Sequence, residues 1–351
     1  MNANSTATGL LTGLTYTVPI AGVIRTGYIV SRHGKRLPYG DDEFSITLKH
    51  KDASGAWAPH PLDQSLREAH GVTVEGGKKL RRIPVVIAFD NPNLSLSEQF
   101  AVFNRDGRPM CVGNGCTAKR RDPATGAVAE LPCPGPDGCD YGEQNRCDAL
   151  ARLVMQLDGQ EHEGAYFILR TGSINAVTDL RTTLEMMGKL FGGLAGLKMW
   201  LTLEPKSSSQ SMGTTFWHAS LRLRDNTLTS AAQALTASRK AEKDVGINRD
   251  EFEAMLLTLR GNGAFSETRE DADQFEDLVE ARFLDGASGD HVVRLSAQAS
   301  KAAAGAGDFT DLTSRLVAQA AAGAAGAGTT QEGAPSGGST SAPLERADAA
   351  T

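Results

Sequence analysis

The chain has 351 residues, 22% of them charged and 6% aromatic, with a net charge of −6 at neutral pH. That length suits one large domain or two ordinary ones, and the acidic balance excludes a chain-wide nucleic-acid coat while leaving room for a local basic patch. There is no uninterrupted apolar run long enough for a transmembrane helix, so no membrane association is expected. The N-terminal MNANSTATGLLTGL lacks the basic region of a secretory signal, and the compartment it implies is a reducing cytoplasm.

Residues 1–8 are polar, and from Gly9 to Phe89 the pattern is β-rich. GVIRTGYIV from Gly22 reads as a strand, and Phe44, Ile46 and Leu48 alternate with Ser45, Thr47 and Lys49 at the period of a half-buried strand. Ile83 to Phe89 is a continuous apolar run, as expected of a central strand, with Pro84 near its start. LPYGDDEF and KDASGAWAPHP read as turn-rich connections, with Asp41, Asp42 and Glu43 in a turn rather than a carboxylate site. Lys78, Lys79, Arg81 and Arg82 form the densest basic run, which reads as a solvated strand entry or as a contact for phosphate or an acidic partner.

All five cysteines lie between Cys111 and Cys147, spaced Cys111-x4-Cys116, then Cys133-x5-Cys139-x7-Cys147. The segments around them are Gly/Pro-rich with little apolar content, so the expectation is a loop that cannot order itself by burying a core. Four thiolates on one tetrahedral zinc would order it, and five cysteines leave one spare. An odd cysteine count without a secretory signal speaks against a disulfide knot. An iron–sulfur cluster uses the same ligand type and stays open as an alternative. Lys119, Arg120 and Arg121 form a second basic cluster inside this stretch.

Beyond Cys147, Leu150, Leu153, Val154 and Leu157 have helical spacing, although LARLVMQL also suits a strand. Ala165 to Arg170 reads as a strand, followed by a Thr171-Gly172-Ser173 turn with Ser173 or Asn175 as helix N-cap. Val177, Leu180, Leu184, Met187 and Phe191 recur at helical spacing until Gly192 and Gly193 end the helix. Lys198 to Leu203 and Thr214 to Arg224 read as strands, and Thr227 to Arg260 as helical, with Asn248 ahead of RDEFEAMLLTLR. Residues 267–285 form an acidic amphipathic segment, either packed helices or a docking surface. After Ala299 the chain is Ala/Gly/Ser/Thr-rich and is expected to be disordered. The expected architecture is α+β: a β-rich core over residues 1–225 with a cysteine-rich zinc-binding insert at 105–150, a helical extension over 226–298, and a disordered tail over 299–351.

No HExxH, GxSxG, Walker A or kinase motif occurs. The seven histidines are scattered, and His162 sits between Glu161 and Glu163, where alternation on an extended chain turns neighbours to opposite faces. No acid/base pair stands out for catalysis.

The blocks KKLRRIPVVIAFDNPNLSLSEQF, FNRDGRPMCVGNG with TAKRR, CPGPDGC with a following cysteine, YFILRTGS before a helix, and SQSMGTTFWHASLRLR occur in that order. In this arrangement, over roughly residues 10–225, the chain resembles the recombination directionality factor-like family of phages and integrative elements. The resemblance implies a non-enzymatic protein that binds a large serine integrase on DNA and switches it from integration to excision. It also implies Cys111, Cys133, Cys139 and Cys147 as metal ligands, with Cys116 as the spare. The helices after Asn226 and the Ala-rich C-terminus lie outside it. Two other functions remain open, a metal-dependent hydrolase and a zinc-containing accessory protein for single-stranded nucleic acid. A closed four-cysteine site offers no open position for water, and aromatic residues for base stacking are sparse.

Overall fold

The computed structural model describes residues 17–32, 35–53, 55–75, 77–104, 108–162, 164–207, 215–225 and 227–260; of residues 27–41 and 260 it describes the backbone alone. In chain order the elements are β1 (Ile20–Arg32), β2 (Lys35–Lys51), β3 (Trp57–Pro59), α1 (Pro61–His70), β4 (Val72–Val74), β5 (Gly77–Lys79), β6 (Arg82–Ile87), α2 (Pro92–Ser95) and β7 (Leu96–Phe103). There follow β8 (Pro109–Gly113), β9 (Thr117–Arg121), β10 (Val128–Pro132), a 3-10 turn (Pro136–Gly138), α3 (Asp140–Asn145), β11 (Asp148–Leu157) and β12 (Tyr166–Thr171). The last elements are α4 (Ile174–Phe191), β13 (Lys198–Lys206), β14 (Phe216–Leu223), α5 (Leu228–Asp244) and α6 (Arg249–Arg260). The protein is therefore a mixed α+β fold built on one large sheet.

That sheet forks at β11. One edge of β11 carries β12, and the order continues through β1 and β2 to β3, with β1 parallel to β12. The other edge is shared by two strands end to end, because Asp148–Leu153 pair with β7 while Met155–Leu157 pair with β6. From β6 the sheet runs to β13 and β14; from β7 it runs to β8, β9 and β10. The octapeptide whose spacing suited helix or strand is thus the strand at the branch point. It is buried on both faces for most of its length, and a central strand needs such an apolar run.

The main core gathers Phe44 and Ile46 from β2, Ile83, Val85 and Ile87 from β6, Met155 from β11, Phe167 from β12, Leu180 and Leu184 from α4, and Met199 and Leu201 from β13. Fully burying each such side chain contributes about 2 kcal/mol. Helix α4 begins and ends where its sequence indicates: the Ser173 hydroxyl accepts from the Ala176 amide at 3.4 Å, and Gly192 closes the helix in the left-handed conformation. Helices α5 and α6 pack onto the same body. Ala231 and Leu235 enter the main core, and Leu256 joins a second cluster with Phe89, Leu94 and Ile168. The buried Glu253 of α6 accepts from the Asp90 amide at 2.6 Å and the Asn91 amide at 3.0 Å.

Three expectations are corrected. The LPYGDDEF segment is not a turn: β2 runs through it, and Asp42 and Glu43 form ion pairs with Lys79, Arg81 and Arg67, partners distant in sequence. Residues 61–70 form a helix, capped by His60, whose Nδ1 accepts from the Leu62 amide at 3.1 Å. The cysteine-rich stretch is not a bare loop, because β8, β9 and β10 extend the sheet as a meander from β7. Its backbone is satisfied by ladder hydrogen bonds, which order it without a large core. The segment 267–285 and the tail from residue 299 lie outside the described residues. Among the described residues no helix is long and apolar enough to cross a membrane.

Candidate cysteine centre

The sheet positions the cysteines. Cys111 and Gly113 alternate onto one face of β8, and Ala118 and Arg120 come onto the same side from β9, with Cys111 registered against Arg120 and Gly113 against Ala118. The Cys133 amide donates to the Cys116 carbonyl at 2.9 Å, which returns the chain over the pocket after β10. Cys139 is the N-cap of α3, and Cys147 follows that helix, its amide donating to the Gly142 carbonyl at 2.9 Å. A single pocket is lined by Cys111, Cys133, Cys139 and Cys147 together with Arg120 and Tyr141. Cys116 is exposed and is not among its lining residues.

The pocket is held by close packing. A Cβ on Gly113 would lie 2.6 Å from the Cys133 Sγ, and one on Gly142 would lie 3.0 Å from the Cys147 Cβ. The Arg120 guanidinium lies 4.0 Å from the centre of the Tyr141 ring and its Nη2 is 3.6 Å from the Cys139 Sγ. Burial opposes the Arg120 charge, but hydrogen bonding and charge from Cys111, then Cys139, outweigh it and hold its pKa above the ordinary value. Burial first, and then the negative charge of Cys111, Cys133, Asp148 and Cys139, pushes the Cys147 thiol up to about 12. Burial and neighbouring charge of this kind favour the protonated Cys147 thiol unless a cation joins it. All five cysteines are free, and among the described residues no group of three or more His, Cys, Asp or Glu side chains has the geometry to hold a metal ion as it stands. The donor set nevertheless suits a thiophilic ion: four sulfurs and no carboxylate or imidazole line the pocket, and a divalent ion would lower the Cys147 thiol pKa that burial raises.

The basic residues read from the sequence are not brought together. Lys79 and Arg81 pair with Asp42, and Arg81 also stacks on Trp217 with its guanidinium 4.7 Å from the ring centre. Arg82 stacks on Trp200 at 4.9 Å, and the Lys78 ammonium donates to the Glu68 carbonyl at 2.8 Å. Much of that run therefore fastens the β5–β6 region to its surroundings. In the second cluster Arg120 belongs to the pocket, Arg121 donates to the Gly126 carbonyl at 3.3 Å, and Lys119 is exposed on the opposite face of β9. Sequence reading missed Gly113, Gly142 and Tyr141. Their part follows from strand register and from the fold of α3 back onto Cys147, and only the glycines beside the cysteines hinted at it.

A forked α+β sheet with a four-cysteine pocket on one branch is the class of protein these features define. The profile of the Gp3-like, recombination directionality factor-like family matches residues 21–224. The chain belongs to that family. No curated protein and no solved structure matches it.

Proposed function

We propose that this protein is a zinc-braced adaptor of a phage or mobile element that binds a serine integrase on DNA in the cytoplasm and favours excision over integration. The observation that carries the reading is the convergence of Cys111, Cys133, Cys139 and Cys147 on one pocket in a chain of this family. These four residues would hold the ion, with Cys116 outside the set. The ion would supply a structural cross-link between β8, the return after β10, and α3. Arg120 supports the thiolates electrostatically from within the pocket, while Lys119 and Arg121 lie on the outer face of β9, where a partner or DNA phosphates could meet them.

The experiment is recombination in vitro with the serine integrase encoded on the same element, with and without the purified protein. Excision should rise and integration should fall as protein is added. Unchanged levels of both at saturating protein would reject the reading, and turnover of a nucleotide or ester by the same preparation would favour a hydrolase.

A further inference from the structure

The pocket leaves one cysteine of the five outside. Cys111 is buried and Cys133, Cys139 and Cys147 are half-buried around the pocket, whereas Cys116 is exposed. It lies in the short turn from β8 to β9, where Gly113 pairs with Ala118 and the Asn114 amide donates to the Thr117 carbonyl at 3.0 Å. Gly115 makes the turn in the left-handed conformation. The Asn114 Oδ1 accepts from the Cys116 amide at 2.9 Å and from the Thr117 amide at 2.8 Å, so the turn's own side chain fixes its backbone. Asn114, Cys116 and Thr117 are all exposed.

That turn sets Cys116 against one pocket cysteine in particular. Strands β9 and β10 pair in unbroken antiparallel register as far as Thr117 opposite Pro132. One residue further on, the Cys133 amide donates to the Cys116 carbonyl at 2.9 Å, which puts Cys116 opposite Cys133. Residues opposed through such a bond have Cα atoms about 5.5 Å apart, in the middle of the range that a disulfide spans. Their Cβ atoms stand up to about 5.5 Å apart, against about 3.8 Å in a bridge, so the two side chains must close by an ångström or two. An exposed turn can supply that movement more readily than a buried strand. The Cys133 Sγ already packs against Gly113, at the root of the same turn.

We propose that Cys116 is an oxidation site, which a hydroperoxide converts into a Cys116–Cys133 disulfide that takes Cys133 out of the pocket. The exposed thiol meets the oxidant first. With hydrogen peroxide, the Cys116 sulfur attacks one oxygen, the O–O bond breaks, and a sulfenic acid and one water result. The Cys133 sulfur then attacks the Cys116 sulfur, the S–O bond breaks, and the hydroxyl leaves as a second water with the Cys133 proton, or with a solvent proton where Cys133 starts as a metal-bound thiolate. The two sulfurs together lose two electrons, and the peroxide gains them. A bridge at an exposed turn is open to reduction by thiols, so the step is reversible. With Cys133 engaged, three pocket sulfurs remain and a four-thiolate site cannot close. This last consequence rests on the zinc reading above, whereas the bridge itself does not.

The test uses the full chain, its metal content fixed beforehand by elemental analysis, and hydrogen peroxide. After exposure the remaining thiols are blocked, and unreduced peptides are mapped by mass spectrometry. A peptide pair joined through Cys116 and Cys133 is expected, and dithiothreitol should separate it. Cys116→Ser should form no such bridge, and from the zinc-loaded protein it should release zinc to a chromogenic chelator under peroxide at least roughly tenfold more slowly than the parent. The proposal is overturned if Cys116 stays a thiol, or passes to the sulfinic acid with no bridge formed. A bridge from Cys116 to any other cysteine, including Cys116 of a second chain, also overturns it. So does a Cys116→Ser variant that releases zinc at the parent's rate. Protein purified without zinc would reject the zinc reading, while the peptide map would still decide the bridge.

Discussion

Gly113 shows how narrowly the cysteine pocket is built. A methyl group there would meet the Cys133 Sγ at 2.6 Å, the Ala118 Cβ at 2.9 Å and the Thr117 carbonyl oxygen at 3.1 Å. Two of these neighbours belong to β9, held to β8 by ladder hydrogen bonds, so Cys133 is the one that must give way. Gly113→Ala should therefore displace a sulfur and lower bound zinc from about one per chain to a minor fraction. Cys133→Ser should do the same, and Cys116→Ser should not, since Cys116 is exposed and lies outside the pocket. Elemental analysis of the three purified variants checks this, and equal zinc in all of them would reject the ligand set. The cysteines were legible in the sequence as a candidate centre because all five thiols fall within 37 residues. The glycine was not, because its necessity arises from the β8–β9 register and from the return of the chain past Cys116, neither of which leaves a periodic mark.

Among the elements, α5 and α6 are joined by a clamp that can be read out by pH. Arg249 pairs through both its Nε and Nη2 with the two carboxylate oxygens of Glu242, and its Nη1 donates to the Ala88 carbonyl at 3.2 Å. The hydrogen bonds from Arg249 hold the Glu242 carboxyl below its ordinary value of 4.5, outweighing the opposing effect of burial. A carboxyl depressed in the folded state contributes stability that is complete above its unfolded value and is lost as pH falls through the folded one. The wild type should thus exceed Glu242→Gln in stability by a constant margin above about pH 5, and the margin should shrink toward zero as pH falls below about 4. Urea unfolding of both proteins across that range measures it, and a margin independent of pH would show that the carboxylate charge is not what holds the clamp. The two helices themselves were legible from their periodicity, from Asn248 ahead of an acidic first turn, and from Gly246. Helix α1 carried comparable signals, with Pro61 at its first position, Asp63 in its first turn and Arg67 and His70 in its last. They were masked by an unusual histidine cap and by the turn-forming residues just before it. Strand β2 was hidden for another reason: Pro38, Gly40 and the acidic triplet look like a turn until Lys79, Arg81 and Arg67 are brought to Asp42 and Glu43 by the rest of the fold.

On the scale of the whole molecule, the fork at β11 divides the sheet into branches with separate means of support. The main core includes residues from β1, β2, β6, β11, β12, β13, β14, α4 and α5, but none from β8, β9 or β10. Those strands rest on a small cluster of Val102, Cys111 and Ala118, with Met110, Cys133, Tyr141 and Cys147 packed around it, and on the packing of Val112 against Ala101, Phe103 and Leu150. A branch with so few buried apolar groups depends on its ladder hydrogen bonds and on whatever joins its thiols, so it belongs to the low-stability end of the structure. Removing zinc with a strong chelator should release this branch without unfolding the remainder. Amide hydrogen exchange should quicken at least roughly tenfold through β8, β9, β10 and α3, while β6, β13 and α4 keep their protection. Simultaneous loss of protection in β13 and α4 would mean that the fork transmits the collapse and that the cysteine branch is part of one cooperative unit. Unchanged exchange everywhere would mean that the ladder alone holds the branch. Either result would end the view of the ion as a local brace on a self-sufficient core.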